Sequence, residues 1–218
     1  GMDKPSARVA LPEECDPRDA VERDGTLYLA CVDEGILAYD TTTAAEPALL
    51  YALALEAEAS VLAATDELLI VGNDEQFIFL ELTDGTAPQK VAEHPSDFSY
   101  VSLRASGNLL AVNHWPEAGA GGLGWTILDV SDPLSPEVVT GEPIMGGGHI
   151  VISPPYIISR LGSMDGPTVV SVHEFWPSSG VELVDQFPLD MDVSDMALSG
   201  GTLALLVVDP EDTSDRRV

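Results

Sequence analysis

Positive charge is what this chain has least of. Its only lysines are Lys4 and Lys90, and Lys plus Arg number 9 against 37 Asp plus Glu, a net charge of −28 over 218 residues. A surface of that sign repels nucleic acid and anionic lipid, because Lys and Arg are what neutralise phosphates. It favours cations and basic partners. Long apolar runs are missing too: none approaches the ~18 residues of a membrane helix, so membrane insertion is not expected. Cysteine is scarce. Cys15 and Cys31 are the whole complement, with no CxxC pair, which leaves zinc-ribbon and thioredoxin-like readings without support. The opening "GMDKPSARVALPEE" is polar and shows no signal-peptide pattern.

Catalytic signatures are equally thin. There is no GxSxG elbow and no GxxxxGK[ST] loop, and the glycines of "GAGGLG" (119–124) and "MGGGH" (145–149) read as flexible connections. His94, His114, His149 and His173 have spacings that fit no short zinc motif. No DxDxDG loop is present, so calcium has only weak support and no cofactor or metal is expected.

What the sequence does contain is a repeat. "AYDTTTAAEP" (38–47), "FLELTDGTAP" (79–88) and "ILDVSDPLSP" (127–136) align without a gap. An acid recurs at Asp40, Glu81 and Asp129, a hydroxyl at Thr42, Thr83 and Ser131, and a proline at Pro47, Pro88 and Pro136. Upstream of each, a turn precedes a strongly apolar strand: "LYLAC", "LLIVG", "LLAVN", and further on "YIISR" and "TLALLVV". No helical period persists, and even "EPALLYALALEAEASVLAA", helical by propensity, falls on strand–loop–strand in the repeat.

Each unit therefore reads as four short strands in ~40 residues, the signature of a β-propeller blade. The expected fold is all-β: a β-propeller of about five four-stranded blades forming a single domain over residues 1–218, near 18–58, 59–98, 99–146, 147–192 and 193–218. The N-terminal strand 7–14 is expected to close the ring by completing the last blade. That blade is expected to be incomplete, because "PEDTSDRRV" stops where its third strand should begin. Either Arg216–Val218 pairs as a stub or the native chain continues.

These residues resemble the LVIVD-repeat family of propellers, whose hallmark is an apolar strand, a glycine and then LxIxDxSDPxxP. "WTILDVSDPLSP" is the closest copy, "GILAYDTTTAAEP" and "FIFLELTDGTAP" are looser, and "VVSVHEFWPSSG" is degenerate. The resemblance covers roughly residues 18–208. It implies cell-surface or secreted proteins, and so an extracytoplasmic location, but brings no catalytic residues with it.

The acid–hydroxyl–proline turns need no ligand, since Asp and Ser/Thr side chains accept from nearby backbone N–H groups and Pro presets φ. Function is expected instead in the loops between the second and third strands, which differ from unit to unit. They hold Asp33, Glu34, Asp74, Glu75, His114, Trp115, Glu117, Arg160, Asp165 and Asp209. An acidic rim with a His and a Trp suits a protein, a glycan or a cation. It is equally what a solvated rim looks like on so acidic a chain. A hairpin turning at Asp24–Gly25 would pair residue 18 with 31 and leave Cys15 near Cys31, so one disulfide pinning the N-terminal strand and two free buried thiols are both open. The expected function is a non-catalytic binding or scaffold propeller. The alternative is a metal-dependent, lactonase-like hydrolase using Asp, Glu and His near a channel, which rests on fold analogy alone.

Overall fold

The structure, a computed structural model, describes residues 9, 11–43, 47–83, 86–96, 99–115, 124–139, 144–145, 148–163, 166–176, 180–190, 192–199 and 202–208. The chain divides into two compact units, Gly1–Leu103 with Pro133–Ser135, and Arg104–Asp132 with Pro136–Val218.

The first unit holds two open four-stranded antiparallel meanders. One is β1 (Pro17–Arg23), β2 (Thr26–Cys31), β3 (Gly35–Asp40) and β4 (Ala48–Leu53), and the other is β5 (Val61–Ala64), β6 (Leu68–Gly72), β7 (Gln76–Glu81) and β8 (Gln89–Pro95). The β1–β2 hairpin turns on Asp24 and Gly25 with φ of 49° and 77°, as a two-residue turn matched to strand twist requires. The alternation along β2 and β3 splits the first sheet into two working faces. Tyr28, Ala30, Ile36 and Ala38 pack with Leu62, Leu69, Val71, Ile78 and Leu80 of the second sheet. Cys31, Leu37 and Tyr39 pack on the other face with Cys15, Leu27 and Leu29. β6 is buried throughout, which is why "LLIVG" shows no polar alternation. Each Leu or Ile so buried contributes roughly 1.5–3 kcal/mol.

β9 (Ser99–Ser106) contains the division between the units. It continues through β10 (Leu109–Trp115) and β11 (Gly124–Asp129) to β12 (Glu137–Val138), with β13 (Ile144–Met145) also on β11. The rest of the second unit holds β14 (Gly148–Ser153), β15 (Tyr156–Ser163), β16 (Gly166–Trp176) and β17 (Gly180–Leu189), again a four-stranded meander, and the pair β18 (Asp192–Ser199) and β19 (Thr202–Val208). Its cores form around Trp125, Ile127, Ile157 and Phe175, and around Val170, Val193 and Met196.

The repeat has a backbone counterpart. In four copies the residue after the acid position donates its N–H to the residue just before the apolar strand: Thr41 to Gly25, Leu82 to Glu67, Val130 to Asn108 and Phe175 to Pro155, at 2.7, 2.8, 2.8 and 2.6 Å. A register shift recurs at matching places, between Ala38 and Tyr39, Phe79 and Leu80, and Val172 and His173. Such bulges add local twist to the strand that carries them.

The closed LVIVD-type propeller expected from the repeat is not what the structure shows. The sheets are separate and open, and none closes or curls into a ring among the described residues. The last sheet has two described strands, not four. The segment expected to complete it fails for a local reason: its end enters the Pro12–Cys15 turn, and the first strand among the described residues is β1, which pairs with β2. The other residues of 7–14, except Val9, and all of 209–218 lie outside the described residues. The strand count and order expected of a unit hold in the three sheets β1–β4, β5–β8 and β14–β17. Closure depends instead on how the terminal segments pair.

The two cysteines are bonded, with Cα atoms 5.0 Å apart. The register of β1 on β2 runs as the turn predicts as far as Asp19 opposite Ala30, and then a bulge sets Pro17, not Arg18, opposite Cys31. The chain folds back beyond it, with Val32 N–H donating to Asp16 at 3.2 Å and Cys15 N–H to Pro12 at 3.1 Å. That brings Cys15 to Cys31. No helix of the described residues is long and apolar enough to cross a membrane.

Candidate functional site

The acid–hydroxyl turns behave as backbone caps. Asp40 Oδ1 accepts from the Thr42 hydroxyl at 2.6 Å and the Thr42 N–H at 2.8 Å, and these two bonds, the hydroxyl first, hold its carboxyl below the usual range. Asp129 likewise accepts the Ser131 N–H at 2.9 Å. These carboxylates are committed to their own turns.

The residues expected on one rim separate into groups. Asp33 is exposed and Glu34 half-buried in the turn from β2 to β3, and Asp74 and Glu75 are exposed in the turn from β6 to β7. His114 and Arg160 sit inside strands, not in loops. β10 runs on to Trp115 and pairs His114 with Gly124, and β15 runs on to Ser163 and pairs Arg160 with Val170. His114 is fully buried, with Nε2 3.1 Å from the Thr126 hydroxyl. Trp115 ends β10, and its side chain is not described. Glu117, Asp165 and Asp209 lie outside the described residues.

The other histidines are also strand residues. His94 Nε2 donates to the Pro133 carbonyl at 2.7 Å, which places the ring proton on that nitrogen, and its ring meets Phe79 edge-on. His173, in β16, is buried against Trp125 with Nε2 3.5 Å from Ser159 Oγ. Burial lowers its pKa by disfavouring the imidazolium. Among the described residues no three His, Cys, Asp or Glu side chains come together as a metal-ligand set.

Of the expected rim residues, Asp74 and Glu75 enter a groove. It lies in the first unit, measures about 850 Å³, and runs between the segment 53–58 and the β7–β8 hairpin. Leu53, Leu55, Ile78 and Leu80 supply apolar wall. Glu56, Glu58, Asp74, Glu75 and Glu93 supply carboxylates, and among the described residues Lys90 is the one cation of the lining. Lys90 is itself paired with Glu93, three residues on. Asp33 and Glu34 do not line the groove.

Asn73 builds the groove's acidic end. Its side chain is buried and bonded on both sides: Oδ1 accepts the Glu75 and Gln76 N–H groups at 2.8 and 2.9 Å, and Nδ2 donates to the Glu58 carbonyl at 3.0 Å. One amide thereby fixes the turn carrying Asp74 and Glu75 to the segment carrying Glu56 and Glu58. Glu56, Glu58 and Glu93 were not expected here, because they lie outside the loops between second and third strands: Glu56 and Glu58 between β4 and β5, and Glu93 in β8. The signal was the alternation in "LEAEAS", which sets Leu55 and Ala57 inward and Glu56 and Glu58 outward.

No family model matches the chain, and no curated protein matches it in sequence. Solved structures do. A protein from Lactobacillus plantarum superposes with a TM-score of 0.59 at 14% identity, over 81% of this chain and 57% of that one. The chain thus spans little more than half the length of that protein, and the likeness is one of fold. The computationally designed Ika4 protein gives a TM-score of 0.46 at 17% identity, over 78% of this chain and 98% of that one.

Proposed function

We propose that the chain is a non-catalytic binding module whose groove in the first unit takes a basic, partly apolar peptide segment. The observation that carries this is the lining: among the described residues, five carboxylates above an aliphatic wall, with a single lysine that is paired internally. Lys or Arg side chains of a ligand would meet the carboxylates, and aliphatic side chains between them would cover Leu53, Leu55 and Ile78. The net charge of −28 adds long-range attraction for the same ligand. The disulfide favours an oxidising compartment outside the cytosol, because a reducing one would open it.

The test is fluorescence polarisation with a labelled peptide alternating Lys and Leu, and a Glu–Leu peptide as control. Binding is expected for the first only, weakening as salt is added. The triple variant Glu56→Gln, Glu58→Gln, Asp74→Asn should weaken it roughly tenfold or more. Neutralising Asp33, Glu34 and Glu182, which lie outside the groove, should change it far less. Equal loss in both triple variants would reduce the effect to net charge and end the proposal.

A further inference from the structure

A second cavity in the first unit, about 300 Å³, has a different chemistry from the groove. It stands at the low end of the roughly 300–1,000 Å³ typical of small-molecule sites. Its central charge is Arg23: Nη1 donates to Asp66 Oδ1 at 2.7 Å, and the buried Nε, 2.8 Å from Asp24 Oδ2, makes no hydrogen bond among the described residues. Asp24 is one of the two positive-φ residues of the β1–β2 turn, so the hairpin sets its backbone beside Arg23. Tyr51, Tyr28 and Thr83 add hydroxyl-bearing side chains to the wall, and Leu50 and Leu82 add apolar surface. None of these residues lines the groove.

The charges narrow the ligand class. An anion drawn to Arg23 would meet Asp24 and Asp66 beside it, on a chain that already carries −28. A cation would meet a guanidinium already shared by both carboxylates. A neutral polyol has neither problem. Guanidinium carries five N–H donors, and the two aspartates leave some unengaged, while each carboxylate keeps acceptor lone pairs. Donors and acceptors side by side suit vicinal hydroxyls, each of which donates and accepts at once. A pyranose also offers a C–H face to Leu50 and Leu82. Arg23 already donates to Asp66, so part of its side-chain freedom is lost before a ligand binds.

We propose that this cavity is a saccharide-binding site, recognising adjacent hydroxyls of a neutral pyranose through Arg23, Asp24 and Asp66. It is independent of the peptide groove. The test is saturation-transfer difference NMR on the whole chain with four probes: the methyl α-pyranosides of glucose, galactose and mannose, and N-acetylglucosamine. Inorganic phosphate, followed by its phosphorus signal, is the anionic comparison. Transfer to ring protons of at least one sugar is expected, with no phosphate binding. Arg23→Met and Asp66→Asn should each abolish the transfer, while the groove variant Glu56→Gln, Glu58→Gln, Asp74→Asn keeps it. Asp66 has a side chain 77% exposed, so its variant retains the fold and decides the matter if Arg23→Met does not fold. No transfer from any of the four sugars, transfer surviving Asp66→Asn, or phosphate bound in place of sugar would each overturn the proposal.

Discussion

The Trp125 indole meets the His173 imidazole edge-on, centroids 5.4 Å apart and planes at 76°. Trp125 is almost completely buried and His173 is 7% exposed, so the imidazole is held where protonation is costly. Its pKa is lowered by that burial. The unfolded chain takes up the proton as pH falls below 6.5, while the folded chain resists until a lower pH. The contribution of neutral His173 is therefore intact above pH 6.5 and is lost progressively as pH falls from there toward the lowered folded value. His173→Phe should flatten this part of the stability–pH curve. Urea midpoints of the two proteins measured across the range check it, and parallel curves would refute it.

The Cys15–Cys31 bond closes a loop of sequence separation 16. Chain-entropy arguments give about 3 kcal/mol for a loop of that size. The double variant Cys15→Ala, Cys31→Ala should lose an amount of that order in urea unfolding, and wild type under reductant should match it. Without reductant, a thiol-alkylating reagent should label neither cysteine in the denatured wild type.

Glycines at similar positive φ should respond unequally to substitution. Gly35 has φ 81°, and a Cβ there would lie 2.4 Å from the Leu53 carbonyl oxygen and 2.9 Å from the Leu55 nitrogen, both backbone atoms. Gly35→Ala should cost at least about 2–3 kcal/mol through backbone strain and displacement of a groove wall. Gly107 has φ 56° with nothing within 4 Å of a built Cβ. Gly107→Ala should cost only about 1 kcal/mol, the left-handed backbone term alone. Thermal unfolding of the pair distinguishes the cases.

Asn73 provides a test of groove architecture. Asn73→Ala removes three bonds and leaves backbone groups of Glu58, Glu75 and Gln76 to find other partners, a loss of about 1–3 kcal/mol. Asn73→Asp keeps an acceptor for the Glu75 and Gln76 N–H groups but loses the donor to the Glu58 carbonyl. It should be less destabilised than the alanine variant and still bind basic peptide more weakly than wild type, because the 53–58 wall is released. Calorimetric unfolding and the polarisation assay measure the two effects separately.

Much of the fold could be read in the repeated units. The turn at Asp24–Gly25, the strand pair β2–β3 and the caps at Asp40 and Asp129 depend on residues close in sequence, and a repeat exposes such patterns several times over. The repeat also marks β4 and β5 as strands inside "EPALLYALALEAEASVLAA", against local helix propensity. Closure could not be read, because it depends on pairings of terminal segments that no internal copy duplicates. Residues 7–14 match an outer strand by sequence, yet the Cys15 N–H donates to the Pro12 carbonyl and closes a turn there. His114 misled for a related reason: it was expected in a loop, yet β10 runs on through it and packing buries it. The groove combines acids from a loop, a linking segment and an edge strand, an association that only the packing of two sheets creates.

Lys90 gives the groove a chemical handle. Only Lys4 and Lys90 carry side-chain amines, and the Lys90 side chain is 47% exposed in the groove wall beside Glu93. A mild acylating reagent therefore has very few targets on this chain, and one of them stands where the peptide is proposed to lie. Protection of Lys90 from acylation, read by peptide mass mapping with Lys4 as the internal standard, would report occupancy in a crude mixture without any engineered label.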